Sequence, residues 1–105
     1  MKFIELLEQC KKVTQTESNY ALAKRLGVER RLINFYYKNE RKADFYTCLR
    51  IAEILGISRL FVVIVNELDY EKDAERRAYL EKQAATLYAN TIQERRQKKS
   101  QPREA

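Results

Sequence analysis

The stretch "LAKRLGVERRLINFYY", Leu22 to Tyr37, decides the fold. Leu22, Ala23 and Leu26 recur on one side of a short helix, and Gly27 stands where such a helix ends, because glycine enters the left-handed conformation without a β-carbon clash. A second apolar period restarts almost at once, near Glu29, and carries Leu32, Ile33 and Tyr36 inward. Phe35 fits either side of that helix, as a core residue or as an outward one. Arg30 and Arg31 sit together at its start, among residues that otherwise read as core.

Working outward, "TQTES" breaks an earlier amphipathic period running from Phe3 to about Val13, in which Phe3, Leu7, Cys10 and Thr14 are spaced for one helical face. Ser18 is the expected N-cap of a helix over 19–26. Downstream, "KNERKAD" ends the third helix, with Asn39 tolerating positive φ. Asp44 caps a fourth, in which Phe45, Cys48, Leu49, Ala52 and Leu55 recur at helical spacing and Gly56 closes the element. Ser58 then caps a fifth segment containing "FVVIV". Its β-branched residues favour a strand, yet nothing else in the chain can pair with one, so a buried helix is expected.

Residues 70–99 read as a long polar helix after a break near Leu68–Asp73. Leu80, Ala84, Leu87 and Thr91 make a narrow stripe on it, flanked by Tyr88 and Ile92, that lies back on the domain or meets a second copy of itself. The closing "QKKSQPREA" has no apolar anchor and is expected to fray.

With 105 residues, two glycines and one proline, the chain is expected to be all-α: a five-helix domain over 1–68, a helical extension over 69–99 and a disordered tail over 100–105. Cys10 and Cys48 lie among apolar neighbours and read as small hydrophobes in a reducing cytoplasm. Glu5 and Glu8 interrupt any leader-like apolar run, and the longest uninterrupted apolar stretch is "LFVVIV", so a cytoplasmic protein with no membrane partner is expected.

The formal charge is +6, and it is unevenly spread. Between Lys24 and Lys42 seven basic residues face two acids; between Glu67 and Lys82 six acids face four bases; between Glu94 and Arg103 five bases face one acid. A concentrated cationic stretch of this kind points to a polyanion partner. The acids near 67–75 alternate with bases and read as a solvated helix face.

Two short helices joined by a tight turn make a helix-turn-helix, in which the first braces the second and the second presents one face outward. Asn19 to Lys38 meets its demands in order: Ala23 small at the crossing, Gly27 in the turn, Ile33 and Tyr36 on the buried side, with Leu22, Leu26 and Val28 filling the remaining apolar positions. Here "ALAKRLGVERRLINFYYKNER" followed by "LRIAEILGIS" resembles the Cro and phage-repressor (XRE-like) family of helix-turn-helix DNA-binding domains over roughly residues 3–68. Glu29 stands where that family usually has Ser or Thr, and Asn39 where it commonly has Gly.

The resemblance implies a repressor-like fold whose recognition helix, about 29–38, enters the major groove of double-stranded DNA with Arg30, Arg31 and Asn34 toward the bases. Arginine can take both acceptors on a guanine edge and asparagine can pair with adenine. Phe35, if outward, meets a thymine methyl, and Glu29 either orients Arg30 or Arg31 or accepts from a cytosine amino group. Asn19, Lys38, Arg41 and Lys42 match positions that clamp phosphates. The expected function is a small transcriptional regulator of bacterial or phage type, a repressor working by occupancy. It is expected to act as a homodimer joined through 57–92 by Phe61, Val62, Val65, Leu80 and Leu87.

Catalysis lacks its parts: there is no histidine, no Cys-x-x-Cys, no glycine-rich phosphate loop and no serine beside a plausible base. No metal, cofactor or small-molecule substrate is expected. The rival reading is a protein-interaction module, such as an antitoxin or adaptor, that keeps the same helices as scaffold. Single-strand binding would need stacking aromatics, for which Tyr36, Tyr37 and Tyr46 are the candidates.

Overall fold

A computed structural model describes residues 1–100, with side chains through Thr91. Ile92, the basic stretch 94–103 as a charged surface and the tail 101–105 therefore lie outside the described residues. Six helices and no strand are present among the described residues: α1 (Phe3–Thr14), α2 (Asn19–Leu26), α3 (Arg30–Tyr37), α4 (Phe45–Leu55), α5 (Arg59–Leu68) and α6 (Ala74–Ser100).

Local hydrogen bonds set the starts of these helices. The Ser18 hydroxyl accepts from the Ala21 amide at 3.0 Å, the Asp44 carboxylate from Thr47 at 3.1 Å, and the Ser58 hydroxyl from Phe61 at 3.2 Å. Each satisfies an amide that the helix itself leaves unpaired. Asp73 does the same for α6, accepting from Arg76 at 2.9 Å. Left-handed residues end them: Gly27 (φ 75°) closes α2 and Gly56 (φ 65°) closes α4. Asn39 takes φ 55° as expected, and Gln15 closes α1 at φ 56° without help from a glycine.

The core forms where α1 meets α2 to α5. Leu6, Leu7, Leu22, Leu26, Ile33, Ile51, Val62 and Val65 are fully buried, with Cys10 and Cys48 among them. "FVVIV" is helical, its ambiguity resolved by burial on two sides: against α4 and against α6. The α5–α6 join is made by an Arg77 guanidinium nitrogen, which donates to the Leu68 carbonyl at 2.6 Å and so caps the end of α5. The Phe61 and Tyr88 rings meet at 5.6 Å.

One expectation changes, at Phe45. Phe45 points into solvent, 67% exposed, because the buried face of α4 is set by Thr47, Cys48, Ile51 and Ala52, one residue off the stripe that begins at Phe45. The residues expected between two copies are already covered within one chain. Phe61, Val62 and Val65 are buried, Ala84 packs into the same core, and Leu80 and Leu87 lie half-buried against it. Of the two fates open to the stripe on α6, it lies back on α5.

Candidate nucleic-acid interface

The turn between α2 and α3 is Gly27, Val28 and Glu29. The left-handed Gly27 lets its own amide and that of Val28 both donate to the Ala23 carbonyl, at 2.9 and 3.0 Å, which reverses the chain sharply. Arg50, reaching across from α4, donates to the Arg25 and Leu26 carbonyls at 3.1 and 3.3 Å, so the end of α2 is held from a third helix. Sequence reasoning missed Arg50, which sits in the middle of α4 and meets the end of α2 only through packing.

Helix α3 is anchored by Ile33 and Tyr36. Both are buried, and the Tyr36 ring meets Phe3 edge-on at 5.9 Å with its hydroxyl 3.5 Å from Thr47. Burial pushes the Tyr36 phenol above its ordinary pKa. At 100° per residue, the side opposite Ile33 and Tyr36 carries Arg31, Asn34, Phe35 and Lys38, with Arg30 on the flank beside Asn34. Arg30, Arg31 and Lys38 are exposed, while Asn34 and Phe35 are half-exposed. Phe35 stands outside the core cluster, which favours its outward alternative.

Glu29 pairs with Arg31 at 3.1 Å. Its carboxylate accepts no capping hydrogen bond from the amides of α3. With the two side chains 70% and 69% exposed, this contact is worth at most about 1 kcal/mol, and water or an anion readily replaces it. Arg30 and Lys38 carry no ion pair among the described residues, nor does the exposed Arg41. Lys42 differs, since its ammonium contacts Glu67 at 2.7 Å and would have to leave it to reach a phosphate.

Asn19 and Asn34 touch. Asn19 Nδ2 donates to Asn34 Oδ1 at 2.9 Å, and Asn19 Oδ1 accepts from Lys11 Nζ at 2.8 Å. Lys11 in turn lies 4.6 Å from the centre of the Tyr37 ring. The Asn19 side chain thus has one amide hydrogen left for a phosphate, and the Asn34 oxygen is turned toward Asn19 with one of its two lone pairs taken. Lys11 carried no signal beyond being one lysine of many.

Another missed residue is Asn66, buried on α5. Its amide pairs with both backbone groups of Ala43, accepting at 3.2 Å and donating at 2.8 Å, and so fastens the loop that leads out of α3.

Other chemistries find little here. Burial pushes the Cys10 thiol up to about 12 and the Cys48 thiol up to about 11, far from nucleophilic range. No group of three metal-binding side chains occurs among the described residues. Of the three aromatic candidates for base stacking, Tyr36 is buried and Tyr37 half-buried, leaving Tyr46 exposed. No described helix is long and apolar enough to cross a membrane. Compared with known family models, curated proteins and solved structures, the chain matches none of them.

Proposed function

We propose that this protein is a sequence-specific double-stranded-DNA-binding transcriptional regulator of bacterial or phage type, a repressor by occupancy, with α3 as the element that enters the major groove. The observation that carries the reading is the two-sidedness of α3: Ile33 and Tyr36 are buried in the core, Arg31, Asn34 and Lys38 stand on the opposite, accessible side, and the exposed Arg30 flanks them. A helix held in this way presents rigid donors to base edges. The turn at Gly27, braced by Arg50, supports a helix-turn-helix reading of α2 and α3.

Two protomers on a pseudo-palindromic site belong to the proposal through DNA geometry, with half-site centres about 34 Å apart. Phe61, Val62 and Val65 lend no support to pairing, since they are buried within one chain. Selection of bound duplexes from a random pool tests binding, half-site symmetry and base preference together. Enrichment of a motif supports the reading, and failure to enrich any duplex at low salt refutes it.

One observation favours the rival interaction module. A largely apolar groove between α5 and α6, lined by Met1, Phe61, Val65, Leu68, Ala84 and Tyr88, offers a partner some grip. Charge reversal at Arg30 and Arg31 separates the two readings, because it removes DNA retention and leaves that groove intact.

A further inference from the structure

The polar chain Lys11–Asn19–Asn34 crosses three helices and has a definite direction. A lysine ammonium can only donate, so the atom of Asn19 that faces it at 2.8 Å is the carbonyl oxygen. Asn19 then turns its amide nitrogen toward Asn34, and the atom of Asn34 that receives it at 2.9 Å is again an oxygen. The amide nitrogen of Asn34 is what remains, with both hydrogens uncommitted, on the same side of α3 as Arg30 and Arg31. Turning either amide over would set two donors against each other. The Tyr37 ring beneath the Lys11 ammonium holds the start of the chain in place.

Resting on the DNA-binding reading, we propose that Lys11 and Asn19 are positioning residues that lock Asn34 as a donor, which makes the outward groups of Arg30, Arg31 and Asn34 donors throughout. An unlocked asparagine presents one donor and one acceptor and suits the adenine edge, which offers N7 as acceptor and N6 as donor. A locked one keeps its oxygen turned toward Asn19, with one of its two lone pairs taken, and leads with its amide hydrogens. It suits an edge of acceptors better, as met by O6 and N7 of guanine. The bound half-site is therefore guanine-rich along the run read by α3, including the base read by Asn34.

The relay can be reversed with little change in shape. In Asn19→Asp the carboxylate still accepts from Lys11, and it repels the Asn34 oxygen; the Asn34 amide turns over, donates to the carboxylate and points its oxygen outward. A carboxylate at the first residue of α2 also favours the helix, so the variant is expected to fold. Lys11→Met instead removes the source of direction.

The test is duplex selection with the wild type, Asn34→Ala, Asn19→Asp and Lys11→Met, together with the Asn34 side-chain amide signal by NMR without DNA. Asn34→Ala identifies the base that Asn34 reads. At that base the wild type selects guanine, Asn19→Asp shifts to adenine or cytosine with discrimination changed roughly tenfold, and Lys11→Met relaxes the choice while the Arg30 and Arg31 positions hold. The NMR signal moves in Asn19→Asp, because its hydrogens then donate to a charged group. A wild type that selects adenine there, or variants with unchanged preference and an unmoved signal, overturn the relay while DNA binding stands. A wild type that enriches no duplex overturns both.

Discussion

The Tyr46 hydroxyl lies 2.9 Å from the point where a β-carbon on Gly27 would sit, and Gly27 itself is held at φ 75°. Helix α4 thus reaches the α2–α3 turn with a residue that is itself half in solvent. Gly27→Ala meets two costs, the left-handed backbone and the contact with the hydroxyl. A loss of about 1–2 kcal/mol in urea unfolding is expected. Adding Tyr46→Phe removes the contact and leaves the backbone cost, so the double variant recovers only part of the loss. Full recovery would show that the backbone at Gly27 is unstrained.

Arg30→Glu with Arg31→Glu is expected to leave thermal stability nearly unchanged, since both side chains are exposed and the single ion pair involved, Arg31 with Glu29, is a surface one. DNA retention is expected to vanish. For the wild type, the logarithm of affinity should fall linearly with the logarithm of salt concentration, and removing one phosphate-contacting cation such as Lys38 should lower that slope by about one. A salt-independent affinity measured by fluorescence anisotropy would contradict the electrostatic account.

Asn66→Leu tests how the exit from α3 is held. The substitution keeps bulk inside the core and leaves the Ala43 amide and carbonyl, both buried, without their partners. A destabilisation of about 2–4 kcal/mol is expected from two unsatisfied backbone groups. Because the loop from Lys38 to Ala43 loses its fastening, amide hydrogen exchange there should quicken more than in α1. Uniform exchange across the chain would argue against a local role.

The cysteines link stability to alkaline pH. In the unfolded chain both thiols ionise near the ordinary value of 9.0, whereas burial holds Cys10 up to about 12 and Cys48 up to about 11 in the native state. The unfolded state therefore loses protons first, and the stability held below pH 9 declines as pH rises toward 11 to 12. Cys10→Ala with Cys48→Ala should flatten that decline in denaturation midpoints taken between pH 8 and about 11. In the wild type at neutral pH, a thiol reagent should label neither cysteine until the chain unfolds.

Helix ends were readable in advance because they are local. Ser18, Asp44 and Ser58 bond three residues along their own chain, and Gly27 and Gly56 act through their own φ, so the residues that decide each boundary sit beside it. The inner faces of α2 and α3 followed from periodicity for the same reason. Phe45 shows where that logic stops: near a helix end, a shift of one residue in the stripe separates a core side chain from a solvated one, and only the neighbour across the gap chooses.

Sequence alone determined that this chain is helical, where its helices begin and end, and that its positive charge gathers on the segment that becomes α3. Tertiary structure alone decided that α6 folds back to cover "FVVIV", that Arg50 and Asn66 reach across 24 and 23 positions to hold backbone on either side of α3, and that Lys11 and Asn19 set the direction of Asn34. Periodicity reports which side of a helix avoids water. It carries no information about which distant group arrives to meet a given donor or acceptor, because that pairing exists only once the helices have packed.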